Sequence, residues 1–140
     1  MNPGIKFVRL EPNSQEFELH VTVATELASF TTQMYVSNAI ISRLGDGLEN
    51  LIERRSVFDF EIGRFGPEYA GGALRLRFNG IGSRYYITAN VQSSYADFGK
   101  YLVASDANLY FETELMSIDQ FIVELRAFSN MHCDEANLMR

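Results

Sequence analysis

The segment Ala107–Phe128, ANLYFETELMSIDQFIVELRAF, constrains the fold more than any other part of the chain. Leu109, Phe111, Thr113 and Leu115 alternate with Tyr110, Glu112 and Glu114, the period of a strand with one buried face. The period then becomes helical, with Ile118, Phe121, Ile122, Leu125 and Phe128 on one face. At the junction Ser117 stands where an N-cap would, with Gln120 three residues on to complete a capping box. Met116 and Phe121 occupy the positions of a hydrophobic staple. A strand that runs straight into an amphipathic helix implies an antiparallel sheet with helices on one side. The expected class is α+β: a curved or split antiparallel sheet of about seven to eight strands with two helices packed on its inner face.

The rest of the chain repeats these signals. Strands are expected over Ile5–Leu10, Glu16–Val23, Phe30–Val36, Val57–Ile62, Ala73–Phe78 and Arg84–Val91. Pro12-Asn13-Ser14 ends the first, and Asn79-Gly80-Ile81-Gly82-Ser83 is a hairpin turn. A helix starts at Ser37 or Asn38, carries Ile40, Ile41, Leu44, Leu48, Leu51 and Ile52 on one face, and ends at Arg54-Arg55. Gly45 and Gly47 each weaken it by about 1 kcal/mol relative to alanine. Two long loops, 63–72 and 93–105, mix aromatic and charged residues, including Arg64, Phe65, Glu68 and Tyr69 in one and Tyr95, Phe98, Lys100 and Tyr101 in the other. Residues 129–140 read as a flexible polar tail to a single domain spanning residues 1–140.

Charge and cysteine content narrow the function. The net charge is −6, and the stretch from Asp106 to Arg140 carries −5 of it, with seven acids against two bases. An acidic end opposes nucleic-acid binding, which needs a basic surface. It serves solubility, or it steers a basic protein partner. No apolar run is long enough to cross a bilayer, no signal peptide is evident, and a lone Cys133 forms no intrachain disulfide. These features together favour the cytoplasm.

Catalytic and metal signatures are weak. His20 alternates outward on a strand, and His132-Cys133-Asp134 lie together in the tail, a poor arrangement for tetrahedral ligation. The glycines fall in no phosphate-binding pattern, and no serine has a matching histidine base. No metal or cofactor is expected. Asp59 and Glu61, Arg75 and Arg77, and Glu112 and Glu114 point outward from three strands. On neighbouring strands they would form cross-strand ion pairs. Structural pairing is the first reading of that face, a protein-binding surface the second, and paired-carboxylate catalysis the last.

Alternating strands and a helix come first in the chain order. The strand Gly71–Phe78 (GGALRLRF), the strand Tyr86–Val91 (YITANV) and Leu109–Leu115 (LYFETEL), which leads into Asp119–Leu125 (DQFIVEL), follow. This order resembles the small bacterial WapI-type immunity proteins of polymorphic toxin systems, over residues 17–128. The resemblance implies an antidote that binds and blocks a toxin domain. It carries over no residue-level binding map, because the matching pattern is core. The favoured function is therefore a non-enzymatic, protein-binding module with a basic toxin domain as partner. Candidate contact residues are Glu112, Glu114, Asp119, Tyr110, Phe65, Tyr69, Tyr95 and Phe98. A small-molecule or catalytic pocket inside the curved sheet, and a structural homo-oligomer subunit such as a homodimer, are the alternatives.

Overall fold

Each segment with a period of two forms a strand, and the computed structural model adds three strands that periodicity did not reveal. The structure describes residues 3–11, 16–54, 56–67, 69 and 71–139. The expected stop at Pro12-Asn13-Ser14, Arg55 of the helix end, and Glu68 lie outside these. In chain order the elements are β1 (Gly4–Leu10), β2 (Glu16–Ala24), β3 (Ser29–Ser37), α1 (Asn38–Arg54), β4 (Val57–Gly63), β5 (Ala73–Ile81) and β6 (Arg84–Gln92). They continue with β7 (Ala96–Phe98), β8 (Tyr101–Val103), β9 (Asp106–Glu114), α2 (Leu115–Ser129) and β10 (Glu135–Met139).

The class is α+β, but the expected sheet of seven to eight strands is replaced, among the described residues, by ten strands in three sheets. One four-stranded sheet runs β10-β1-β2-β3, a second runs β4-β5-β6-β9, and β7-β8 is a two-stranded ribbon. Neighbouring strands are antiparallel throughout. The inward residues of both large sheets and the apolar faces of both helices merge into one cluster. It includes Phe7, Phe17, Leu44, Phe78, Phe121 and Phe128, all fully buried. Phe121 meets Phe7 edge-on at 5.9 Å, and Phe128 lies 5.7 Å from Phe17, so α2 is held against the first sheet by aromatic contacts.

Three expectations are corrected. The tail is not loose: Ile5 pairs with Leu138 and Phe7 with Ala136, and both tail residues are fully buried. The outer edge of β10 is covered as well. The Asn137 N–H donates to Glu124 Oε1 at 3.0 Å, and the Thr113 hydroxyl donates to the Met139 carbonyl at 2.9 Å. The Ser117 capping box does not form either. α2 begins at Leu115 with Glu114 at the N-cap and no side-chain cap. The Glu114 carboxylate is instead held by Arg84, Gln120 reaches forward to Glu124, and Met116 is 79% exposed and so makes no staple. The loop 93–105 is not wholly irregular, because it contains β7 and β8.

The first helix matches its reading more closely. Ser37 Oγ accepts the Ile40 N–H at 3.4 Å, a hydroxyl cap on α1. Gly45 and Gly47 have a packing role that propensity does not show. A Cβ on Gly47 would lie 2.0 Å from the Phe58 ring, and one on Gly45 would lie 3.0 Å from Arg126 Nη1. Arg126 reaches across from α2 to bind the Ser42 carbonyl at 3.1 Å, Asp46 at 2.7 Å and Glu49 at 2.8 Å. These carboxylates raise its already high pKa, Glu49 most of all.

Candidate functional site: the outer face of the second sheet

Alternation along β4, β5, β6 and β9 sends Phe58, Leu76, Ile87 and Leu109 inward and leaves polar residues on the other face. Antiparallel register then aligns those polar residues in rows. One row is Glu61–Arg75–Asn90–Asn108, and the next is Asp59–Arg77–Thr88–Tyr110. A third is Val57–Asn79–Tyr86–Glu112, and Arg84 faces Glu114 beyond it. The face is thus set by pairing register, and neighbours in each row are close enough to interact.

The ion pairs follow from this register. Arg77 binds Asp59 with two hydrogen bonds of 2.7 and 3.0 Å. Arg75 reaches Glu61 at 3.3 Å. Arg84 bridges Glu112 at 3.2 Å and Glu114 at 2.9 Å. Asn90 and Asn108 hydrogen-bond through their side chains. The Arg77 hydrogen bond is the main reason the Asp59 carboxyl is held below its ordinary range, and Asp59 raises Arg77 in turn. A general acid needs the opposite shift, so Asp59 does not fit that role. Asp59, Glu61, Arg75, Arg77, Thr88 and Asn90 border an open depression of about 620 Å³. Arg75 lies 4.8 Å over the Phe65 ring, which ties the 63–72 loop to this end of the face.

A chain of the CdiA-CT/CdiI toxin and immunity complex from Enterobacter cloacae has a similar fold. The TM-score is 0.50 at 13% sequence identity, and the alignment covers 90% of this chain and 99% of that one. No family model and no curated protein matches the sequence. At this identity the likeness is one of fold, and site residues must be read from this chain alone.

The predicted site residues fall into separate groups. Tyr110, Glu112 and Glu114 share the outer face of β9, and Tyr110 is 65% exposed. Phe65 is half-buried under Arg75, while Tyr69 is exposed beneath Arg64 at 5.3 Å. Tyr95 is half-buried just before β7, and Phe98 stands exposed on β7. Asp119 is exposed on α2, outside the four rows. Tyr86 and Arg84 join the face as their alternation on the strand predicts, and the structure adds Thr88, Asn90 and Asn108, with exposed Leu102 and Val103 beside Phe98 and Tyr101. The sequence held a signal for the latter group: Phe98-Gly99-Lys100-Tyr101 is a two-residue turn between aromatics, with Gly99 at φ 67°.

Among the described residues no helix is long and apolar enough to cross a membrane. A buried apolar cluster lies beneath the two large sheets, and the depression bordered by the charged rows opens on the outer face.

Proposed function

We propose that this protein is a cytoplasmic, non-enzymatic immunity protein that binds and blocks a basic toxin domain, as the WapI-type resemblance implies. The observation that carries the reading is the whole-chain fold likeness to a chain of a toxin and immunity complex. The outer face of the second sheet adds support. It offers tyrosine and arginine, the residue types enriched at protein contacts, together with carboxylates paired to Arg84. Glu112 and Glu114 steer the partner toward Tyr86 and Tyr110.

The test is co-expression with any toxin domain found encoded beside this chain's gene, followed by stopped-flow association of the purified pair. Wild-type protein restores growth and associates more slowly as salt rises. The variant Glu112→Lys/Glu114→Lys lowers the association rate at least about tenfold at low salt, with a smaller change in dissociation. Growth arrest in the presence of wild-type protein refutes the immunity role. A salt-independent rate refutes the steering.

A further inference from the structure

The β7–β8 ribbon leaves the body of the protein with its apolar residues uncovered. Every residue from Ala96 to Val103 is exposed: Phe98 at 70%, Tyr101 at 71%, Leu102 at 58% and Val103 at 39%. An isolated two-stranded ribbon is marginal in water, and large apolar side chains on one carry an aggregation risk. The ribbon continues the β6–β9 hairpin, since the Ser93 N–H donates to the Ser105 carbonyl at 2.8 Å. The register then shifts by one, so that Ser94 and Tyr95 stand against Ala104 before Ala96 pairs with Val103. That count is the count of a β-bulge, which bends a ribbon away from its sheet. Within the ribbon, Ala96, Phe98, Tyr101 and Val103 share one face, and Asp97 and Leu102 share the other. Apolar side chains therefore project from both faces.

We infer that this ribbon is an arm that inserts into an apolar cleft of a basic protein partner, with Phe98 and Tyr101 against one wall and Leu102 against the other. The inference rests on the proposed immunity reading and identifies the anchor of its interface. Two features select a foreign basic partner over a second copy of this chain. The four large side chains offer on the order of 450 Å² of exposed surface, whereas a stable interface takes about 800 Å² from each partner. Two arms packed together fall short of that, and each copy brings a charge of −6. A cationic domain meets both needs: the charge of −6 attracts it, and β9, whose Asp106 end joins the arm, carries Glu112 and Glu114 toward its other end as further surface for it to cover. Aromatic anchors seated in pockets dominate such interfaces.

The experiment titrates the intact protein calorimetrically with the basic toxin domain that it protects against in the co-expression test. Phe98→Ser/Tyr101→Ser/Leu102→Ser is one variant. A second replaces residues 94–104 with Asn-Gly, closing the hairpin at Ser93 and Ser105. Val123→Ser, which removes a 61% exposed side chain from α2, is the control. Both arm variants are expected to bind at least about thirtyfold more weakly, with unchanged thermal midpoints and with the control at wild-type affinity. Wild-type affinity in either arm variant overturns the arm and leaves the immunity reading standing. No binding by the wild type removes both. A wild-type dimer that the serine substitutions convert to monomer, seen by sedimentation, assigns the arm to a second copy and overturns the inference.

Discussion

Substituting Gly47 with alanine sets helix propensity against packing, and the structure decides the sign. In an isolated helix the change stabilises by about 1 kcal/mol. Here the new Cβ falls 2.0 Å from Cζ and 2.3 Å from Cε1 of Phe58. The ring has little freedom to retreat. It stacks on Phe78 with centroids 6.1 Å apart and lies 6.1 Å from Phe60, and Phe78 is fully buried. Overpacking of this kind costs about 1–3 kcal/mol, and displacing an aromatic pair adds about 0.5–1.5 kcal/mol. The net expectation for Gly47→Ala is a loss of about 1–2 kcal/mol, seen as a lower urea midpoint at constant slope. In a Phe58→Ala background the obstacle is gone, and the same substitution should stabilise by up to about 1 kcal/mol. Gly45→Ala is the contrast: its Cβ meets the end of the flexible Arg126 side chain at 3.0 Å, so the change should be near neutral. A Gly47→Ala protein as stable as wild type, or no coupling with Phe58, would show that α1 does not rest against β4 through this glycine.

Three further perturbations test other parts of the fold. Leu138→Ala should cost about 2–4 kcal/mol in urea unfolding, because the side chain is fully buried opposite Ile5; a change below about 0.5 kcal/mol, typical of an exposed site, would return the last residues to a loose tail. Arg9 is sandwiched between Phe17 at 4.1 Å and Phe128 at 4.3 Å and donates to the Phe128 carbonyl, so Arg9→Ala should cost about 2–3 kcal/mol and Arg9→Met less. Thermal unfolding that ranks methionine below alanine would refute a packing role for the guanidinium stem. The Asp59 carboxyl is depressed by Arg77, so its contribution to stability is complete above the ordinary carboxylate range near 4 and fades as pH falls through the lower folded value. In Arg77→Met the Asp59 carboxyl titration, followed by NMR, should move upward and this acid-side dependence should shrink; an unmoved titration would show that the pair does not persist in solution.

The binding surfaces are separate from Arg9, Gly47 and Leu138, whereas Asp59 and Arg77 share a row with Tyr110. Arg9, Gly47 and Leu138 lie in or against the buried cluster. The carboxylates of β9 and the aromatic arm lie on the surface, so variants there are expected to leave the buried cluster intact.

The amino-acid sequence by itself determined each element whose signal is local. Period-two alternation in Phe17–Val23, Leu74–Phe78 and Tyr85–Val91 produced the strands and their buried faces, because successive side chains in a strand point to opposite sides. The stripe through Ile41, Leu44, Leu48 and Leu51 produced α1 for the same kind of reason. The outward charges of β4, β5 and β9 were legible too, and antiparallel register turned them into the rows that contain Tyr110, Glu112 and Glu114. Tertiary structure decided what depends on distant partners. A strand as short as β10 forms because β1 offers it a free edge and a place for Ala136 and Leu138 in the core. Ser117 is no cap because β9 runs directly into α2, which begins at Leu115, two residues before it. Gly47 reads as a helix weakness until Phe58 is seen against it. The division into separate sheets, and the bare arm that projects between β6 and β9, follow from which edges are covered, and edge cover is a property of the folded chain.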